Sequence, residues 1–576
     1  MYFLALAADY DGTIAEHGFV RPETCEALRR LKATGRRLLL VTGREMADLK
    51  HAFAELAIFD RVVAENGAVI YDPASGEERA IAPPPPAHFV EKLMERQVEP
   101  ISVGHAIVAT WEPHQATVLA VIQELGLESQ IIFNKGAVMV LPSSVNKASG
   151  LRAALAELDV SPRNVVAVGD AENDHAFLHL CGCAAAVANA LPAIKDEADI
   201  RLSGDHGAGV IELIERVIAN DARVVPASRN GILVGGDQKG EEVYLEADRN
   251  VLIAGESGSG KSTFATLLTE RMADRQFEFC IIDPEGDYEQ LAHSVSVGNH
   301  AAPPVLDEVL KLLGEASINV VVHAGALSLS ERPKLLAELL PPIAALRAKS
   351  GRPHWLVIDE AHYLLPSGKK TFSPEQLQTL PATIFISINP GALAIEALQT
   401  AAVVLAFGSN APEALSASAR ALGVAEPTAA PAPGPGEILV WARHSDPAPR
   451  TVQLASPRQA HKRHAGKYAV GDVGEWRSFY FRGPRKTLNI RARNVMEFLD
   501  VSANIDDSVW LHHLRARDYS AWFRYGHQDN ELARQVMKIE SNSGLGAQES
   551  RQRVAHEVRL RYTIPTECPS STAENG

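Results

Sequence analysis

The sequence predicts two α/β units in succession and then a small helical one, on three observations. Over residues 1 to about 217, short apolar runs at 37–41 and 165–168 each end in a polar loop and alternate with amphipathic stretches. That is the rhythm of strands and helices around a parallel sheet. From about 228 to 454 the alternation returns, and there the strand 250–254 passes through a glycine-rich loop into a helix at 263–273. Beyond Pro457 the composition shifts to arginine, aromatics and helix-start signals. The expected fold class is α/β: a Rossmann-like core with a small α+β cap, then a P-loop NTPase α/β domain, then a small helical domain.

With 576 residues the chain is too long for one core. Its 46% hydrophobic and 22% charged content is that of a folded protein and excludes bulk disorder. No run approaches the roughly 18 apolar residues of a membrane span. Residues 1–8 are apolar but lack a basic leader and run straight into Asp9, so they read as a first core strand rather than a signal peptide. The five cysteines show no metal spacing, Cys181-Gly182-Cys183 being one residue too tight for a CxxC pair. A cytoplasmic location is expected. The net charge of −15 is uneven, with residues 443–565 near +8 and everything before them near −21. The basic segment reads as a solvated face, with an anionic partner as the alternative.

In chain order, helices are expected at 21–34, 147–158 and 174–180. Pro83 to Pro86 interrupt the rhythm, and residues 87–143 form a helix–strand–helix–strand–strand insert. The expected domains are a core at 1–82 and 144–219 with a cap at 83–143, a second domain at 228–455, a mainly helical domain at 458–565 and a disordered tail at 566–576. The Ala/Pro-rich loop 425–436 is expected to be flexible. Helices are expected at 494–503, 507–515, 518–525, 529–540 and 548–562, with Asp507, Asp518 and Asp529 as N-caps. Trp510, Tyr519, Trp522 and Phe523 are expected as that bundle's core. His512 and His513 are adjacent, so on a helix they point apart and do not chelate together.

Two segments carry phosphate chemistry. The first is Asp9-Tyr10-Asp11-Gly12-Thr13. Two aspartates just beyond a buried strand can converge on one phosphoryl group with a magnesium ion between them. Asp9 would attack phosphorus to form an aspartyl-phosphate, and Asp11 would protonate the leaving oxygen and later activate water. Val41-Thr42-Gly43-Arg44 ends the next strand with a hydroxyl for a phosphoryl oxygen. Lys147 opens a helix with a fixed positive charge for the developing phosphorane. Gly169-Asp170-Ala171-Glu172-Asn173-Asp174 offers carboxylates to a hard cation.

These four motifs in this order resemble the haloacid dehalogenase (HAD) superfamily, in its Cof-like branch, over residues 1 to about 217. Glu65-Asn66-Gly67-Ala68 and Val187-Ala188-Asn189-Ala190 strengthen the resemblance. It implies Asp9 as nucleophile, Asp11 as acid/base, and Thr42 and Lys147 as phosphoryl ligands. It further implies magnesium on Asp9, the Asp11 carbonyl and Asp170, with Asn173 and Asp174 in support. Arg44, Asn66 and Asn173 are expected on the substrate side. Where family members usually have Lys-Gly, this chain has Lys147-Ala148-Ser149-Gly150. The insert would be the cap that excludes water and selects substrate. Its short length resembles archaeal-type phosphoglycolate phosphatases and sucrose-phosphate phosphatases, with His105 and Lys135 as candidate substrate contacts.

The second segment is Gly255-Glu256-Ser257-Gly258-Ser259-Gly260-Lys261-Ser262, between a strand and a helix as a P-loop must be. Backbone amides around Gly255, Gly258, Gly260 and Thr263 would face ATP phosphates, Lys261 would reach the β/γ oxygens, and Ser262 would ligate magnesium. Asp359, ending the strand 355–358, would bind the same ion, and Glu360 would polarise the attacking water. Cys280 to Tyr288, with its Asp-Pro-x-Gly-x-Tyr ending, and Asp359-Glu360-Ala361-His362 resemble HerA/FtsK-type ATPases over about 228–454. That resemblance implies ring assembly with an arginine finger, for which Arg347 and Arg352 are candidates, and a polar sensor at Asn389. The chain therefore reads as a cytoplasmic, magnesium-dependent hydrolase of a small phosphomonoester, a phosphorylated sugar or an organic acid such as phosphoglycolate. Fused to it is an ATP-hydrolysing domain that regulates or assembles it. The alternative is a nucleic-acid motor with an accessory phosphatase, disfavoured by the acidic charge of the first two domains. No membrane partner is expected.

Overall fold

The computed structural model describes residues 1–134, 136–289, 291–368, 372–373, 382–443, 448–455, 478–483, 488–525, 530–542 and 544–561. Lys135, Asp529 and the tail 566–576 lie outside them. The chain divides into two compact units, Met1–Ser456 and Pro457–Gly576. Among the described residues no helix is long and apolar enough to cross a membrane.

Among the described residues the first unit holds two large sheets, a four-stranded one and a two-stranded hairpin, Ala15–Glu16 with Phe19–Val20. In the first large sheet the strands run Ile200–Arg201, Cys183–Ala186, Val165–Gly169, Ala5–Asp9, Arg37–Val41, Arg61–Ala64, Val69–Asp72 and Glu77–Ala80. The first six are parallel, and the last two fold back antiparallel. Ala5–Asp9 is central and buried throughout, as a strand covered on both faces must be. Helices form at Pro22–Ala33, Lys147–Glu157 and His175–Leu180, within a residue or two of expectation.

The insert folds as helices Ala87–Glu95 and Gln115–Leu125 over a four-stranded antiparallel sheet. Phe89, Leu93, Val118 and Val121 fill its own small core. The two-residue strand Ser102–Val103 adds one element to the expected pattern; it is too short to carry a period-two signal.

The second large sheet has eleven strands. Seven are parallel: Ala401–Phe407, Asn250–Gly255, Thr383–Ser387, Trp355–Ile358, Phe279–Asp283, Asn319–His323 and Ser294–Val297. An antiparallel flank of Glu437–Ala442, Arg450–Leu454, Ile232–Asp237 and Glu242–Leu245 completes it. Residues 425–434 lie outside helices and strands.

The two large sheets are joined by a polar seam. Asp159 of the first α/β part pairs with Arg352, and with Lys349 at 3.0 Å. The Ser161 amide donates to the Ser350 carbonyl at 2.9 Å. His354 Nε2 faces Ser161 Oγ and Asn164 Oδ1, each at 3.1 Å, and the Arg163 guanidinium lies 4.5 Å from the Phe277 ring centroid. Arg352 is therefore buried against its own chain and is not an exposed finger. Arg347, half-buried, donates from Nε to the Pro353 carbonyl at 2.7 Å.

Gly351 is the tightest point of the seam: its φ is +84°, and a Cβ there would lie 1.9 Å from Asn164 Oδ1. Gly351→Ala is expected to destabilise the chain by about 1–3 kcal/mol more than Gly35→Ala. Gly35 has φ +90° but open space around it, so the difference isolates the clash. Chemical denaturation of the two variants measures it.

In the second unit, helices form at Val495–Asn504, Asp507–Ala516, Asp518–Tyr525, Asn530–Glu540 and Ala547–Arg561. Trp510, Tyr519, Trp522 and Phe523 are buried in their core. The cap of the second helix is Asp506, whose side chain accepts the Ser508 amide, and not the expected Asp507; two aspartates in a row make the register ambiguous. His513 is structural, accepting the Arg482 amide at 3.0 Å on Nε2 and meeting Asp518 at 2.7 Å on Nδ1. A hairpin of Phe479–Phe481 and Ile490–Ala492, not expected from the sequence, adds Phe479 and Phe481 to this core.

Candidate active sites

Parallel register gathers the first site. Asp9 lies opposite Val41 and Ala8 opposite Val168, so Tyr10–Thr13, Thr42 and Asp170 emerge at one sheet edge. Lys147 is fully buried and donates to Asp9 Oδ1 and Asp174 Oδ1, each at 2.6 Å. Asp174 Oδ2 accepts the Asp170 and Ala171 amides at 2.8 and 3.0 Å, and Thr13 Oγ1 donates to Asp170 at 3.3 Å.

Electrostatics follows from that crowding. Burial, then the charge of Asp174, pushes the Asp9 carboxyl up to about 8, against the pull of Lys147. Burial alone would depress Lys147, but Asp174 and Asp9 outweigh it and hold the ammonium above the usual lysine value. Oxygens of Asp9, Asp170 and Asp174 lie within 4.8 Å of one another. Three buried carboxylates, two of them on the Lys147 ammonium, form an all-oxygen donor set, which fits a hard divalent cation.

The departure at Lys147-Ala148-Ser149-Gly150 has a local explanation. Asn146 caps the helix by accepting the Ser149 amide at 2.9 Å, while Ser149 Oγ accepts the Asn146 amide at 3.0 Å. Gly150 then packs on Gly67, where a Cβ at 150 would lie 2.4 Å from the Gly67 Cα. Ser149 thus fixes the first turn, and Gly150 lets the helix approach close enough to seat Lys147 on Asp9.

Asp11 and Arg44 hold each other. Arg44 donates from Nε to Asp11 Oδ2 at 2.7 Å and from Nη2 to Oδ1 at 2.8 Å, and it also reaches Asp48 at 2.7 Å. The Asp11 carboxylate stands outside the buried cluster, and Arg44, expected on the substrate side, is occupied by it. Thr42 is buried, and its Oγ1 accepts the Arg44 amide at 3.1 Å. Asn173 Nδ2 donates to Asn66 Oδ1 at 2.9 Å, and Asn66 Nδ2 lies 2.9 Å from Met139 Sδ of the insert.

Glu65 and Asn66 both have φ near +50°, a strained turn for non-glycine residues. That turn aims the buried Glu65 carboxylate at the insert, where it accepts the His105 and Ala106 amides at 3.0 Å and meets His105 Nδ1 at 3.1 Å. His105 is therefore engaged in docking the insert. Lys135 lies outside the described residues. Asn189 acts on the loop after Asp11: its Nδ2 donates to the Gly12 carbonyl at 2.7 Å, its Oδ1 accepts the His206 amide, and His206 Nδ1 meets the same carbonyl at 2.9 Å. Together they set the turn after Asp11.

At the second site the strand Asn250–Gly255 enters the glycine loop, with Gly255, Gly258 and Gly260 all at positive φ, and the helix Lys261–Asp274 follows. Ser262 and Thr263 lie in its first turn. Lys261 Nζ donates to the Glu256 carbonyl at 2.8 Å, inside its own loop. Asp359 is buried at the end of Trp355–Ile358, and burial, then Glu360, raises its carboxyl well above the ordinary range. Glu360 has φ +40° and ψ 49°, a left-handed conformation uncommon for a non-glycine residue.

The Asp-Pro-x-Gly-x-Tyr motif acquires a physical reason: Asp283 accepts the Glu285, Gly286 and Tyr288 amides, and Tyr288 is buried beside Asp359. The strand between the P-loop strand and the Asp359 strand ends in Ser387. Its Oγ meets His362 Nδ1 at 3.2 Å and accepts the Asn389 amide at 3.1 Å. Asn389, expected as the sensor, is exposed, so the inward polar group is Ser387. The strand Thr383–Ser387 stops one residue earlier than the apolar run 382–388 suggests.

Two candidate phosphate sites thus stand at the parallel parts of two mixed sheets, and comparison with known proteins gives the same division. Residues 6–106 and 117–214 match the haloacid dehalogenase-like hydrolase family. Residues 231–420 match the family described as helicase HerA, central domain. The phosphoglycolate phosphatase of Haloarcula marismortui is 30% identical over 219 residues, 36% of this chain and 95% of its own length. That of Methanothermobacter thermautotrophicus is 29% identical over 221 residues, covering 37% of this chain and 97% of its own. The chain belongs, through its first α/β part, to the haloacid dehalogenase-like hydrolases, and that phosphatase is fused to a HerA-type ATPase domain.

Proposed function

We propose that the first site hydrolyses a small phosphomonoester with magnesium, phosphoglycolate being the first candidate because the matched relatives bear that name. The observation that carries this reading is Lys147 held at 2.6 Å from both Asp9 and Asp174 within a buried carboxylate cluster. Asp9 is the nucleophile: its oxygen bonds to phosphorus as the ester oxygen leaves. Asp11 gives that oxygen a proton and then takes one from the water that opens the aspartyl-phosphate. Its bidentate grip on Arg44 must loosen for this, and closure of the insert over substrate is the step that would redistribute those contacts. Lys147 and Thr42 hold phosphoryl oxygens. Asp9, the Asp11 carbonyl, Asp170 and Asp174 are the groups to hold magnesium, which when bound neutralises phosphoryl charge.

The second site binds and hydrolyses ATP through Lys261, Ser262, Asp359 and Glu360, and it regulates or assembles the phosphatase. The seam at Asp159 and Arg352 supports coupling between the two. A second reading, a nucleic-acid motor, is favoured by the match to the HerA central domain. Two measurements test these readings: phosphate release from a panel of monoesters with and without magnesium and ATP, and ATP turnover with and without duplex DNA across a salt series. We expect magnesium-dependent release that ATP modulates, and little stimulation by DNA. Strong, salt-sensitive stimulation would favour the motor.

A further inference from the structure

We propose that His175, His179 and Glu197 form a binding site for a divalent cation of the Zn2+ class, on the phosphatase surface and separate from the Asp9 cluster. The two histidines are one helical turn apart on His175–Leu180, with ring centroids 4.4 Å apart. Both Nε2 atoms converge on one oxygen of Glu197, at 2.5 and 2.8 Å. One ligand atom from each residue lies within 4.8 Å of the other two. Zinc ligands about 2.0–2.2 Å from the metal stand roughly 3.3–3.6 Å apart in a tetrahedron. Small rotations of three half-exposed side chains would open the two contacts to Glu197 to that spacing around a cation, with a fourth position for water.

The donor chemistry separates this cluster from the catalytic one. Two imidazoles and a carboxylate suit a borderline cation, whereas the all-carboxylate set of Asp9, Asp170 and Asp174 suits magnesium. Arg229 lines the same hollow, but its charge is met by Asp199 at 3.0 Å. His175 directly follows Asp174, and Glu197 ends the helix Pro192–Glu197. A bound cation therefore ties the helix that grows out of the Asp170–Asp174 loop to its neighbour.

The test uses the tag-free full chain, stripped of metal and titrated calorimetrically with Zn2+ in excess Mg2+. Wild type and Asp170→Asn are each expected to bind one Zn2+ per chain. In the double variant His175→Ala, His179→Ala, and in Glu197→Gln, affinity should fall by about tenfold or more, since even outer-shell partners of a metal are worth 10–100-fold. With Co2+ as probe, the visible absorption of a tetrahedral nitrogen–oxygen site should appear in wild type and vanish in the double variant. Three results overturn the proposal: no Zn2+ bound by wild type, undiminished binding by the double variant, or loss of binding in Asp170→Asn instead.

Discussion

Replacing Asp9 by Asn is expected to abolish phosphomonoester hydrolysis, by about four orders of magnitude or more, while ATP turnover continues unchanged. The amide keeps the shape and one acceptor for Lys147, which donates to Asp9 at 2.6 Å, but it cannot form the acyl phosphate. The second site has its own lysine, hydroxyl and carboxylates on another sheet, so nothing in its chemistry needs Asp9. Phosphate release from a monoester and ATP turnover, measured on one preparation, read both halves; full monoesterase activity in the variant would sink the assignment.

The same substitution carries a pH signature. Burial and Asp174 lift the folded-state pKa of Asp9 from 3.8 to about 8, so between those values the folded chain binds more protons than the unfolded one. Stability without divalent cation then falls as pH rises through that window. Asp9→Asn removes this contribution, and melting curves across pH 5 to 8 in chelator should be flatter for the variant.

What was legible in the sequence was whatever is written locally. Helices at 147–157 and 518–525 and the strand Ala5–Asp9 follow from apolar period and from turns and caps within a few residues. Contacts between distant segments were not legible. No local pattern announces that Asp11 is gripped by Arg44, that Glu65 docks the loop carrying His105, or that Arg352 is spent on Asp159. Arg352 is instructive: an arginine after a helix in an ATPase-like segment suits a finger and an interdomain ion pair equally, and only the fold puts Asp159 beside it. The hairpin Phe479–Phe481 with Ile490–Ala492 was missed because three-residue strands carry too little periodicity, although its aromatics belong to the core that was foreseen. Ser149 and Gly150 show the reverse case. A local departure from a family pattern became intelligible only once Gly67 was seen against them.

At the second site, Lys261→Ala and Glu360→Gln are expected to fail differently. Lys261 lies in the first turn of its helix, and its Nζ rests 2.8 Å from the Glu256 carbonyl, within the loop that would wrap the phosphates. Its charge would be the fixed cation for the β/γ oxygens, so alanine should weaken nucleotide binding by about tenfold or more, with turnover falling in step. Glu360 is different in kind. It follows Asp359 in a left-handed backbone conformation, accompanied at 3.5 Å by His362, and its proposed role is to orient water rather than nucleotide. Glutamine keeps its size and hydrogen bonding but cannot take a proton, so binding should persist while turnover drops by about 10²–10⁴-fold. Equilibrium binding of a fluorescent ATP analogue beside steady-state hydrolysis separates the two effects. If both variants lose binding equally, Glu360 is part of the nucleotide pocket and not the group facing the water. If Glu360→Gln keeps its turnover, the proton goes elsewhere, and His362, which meets Ser387 at 3.2 Å, becomes the group to change next.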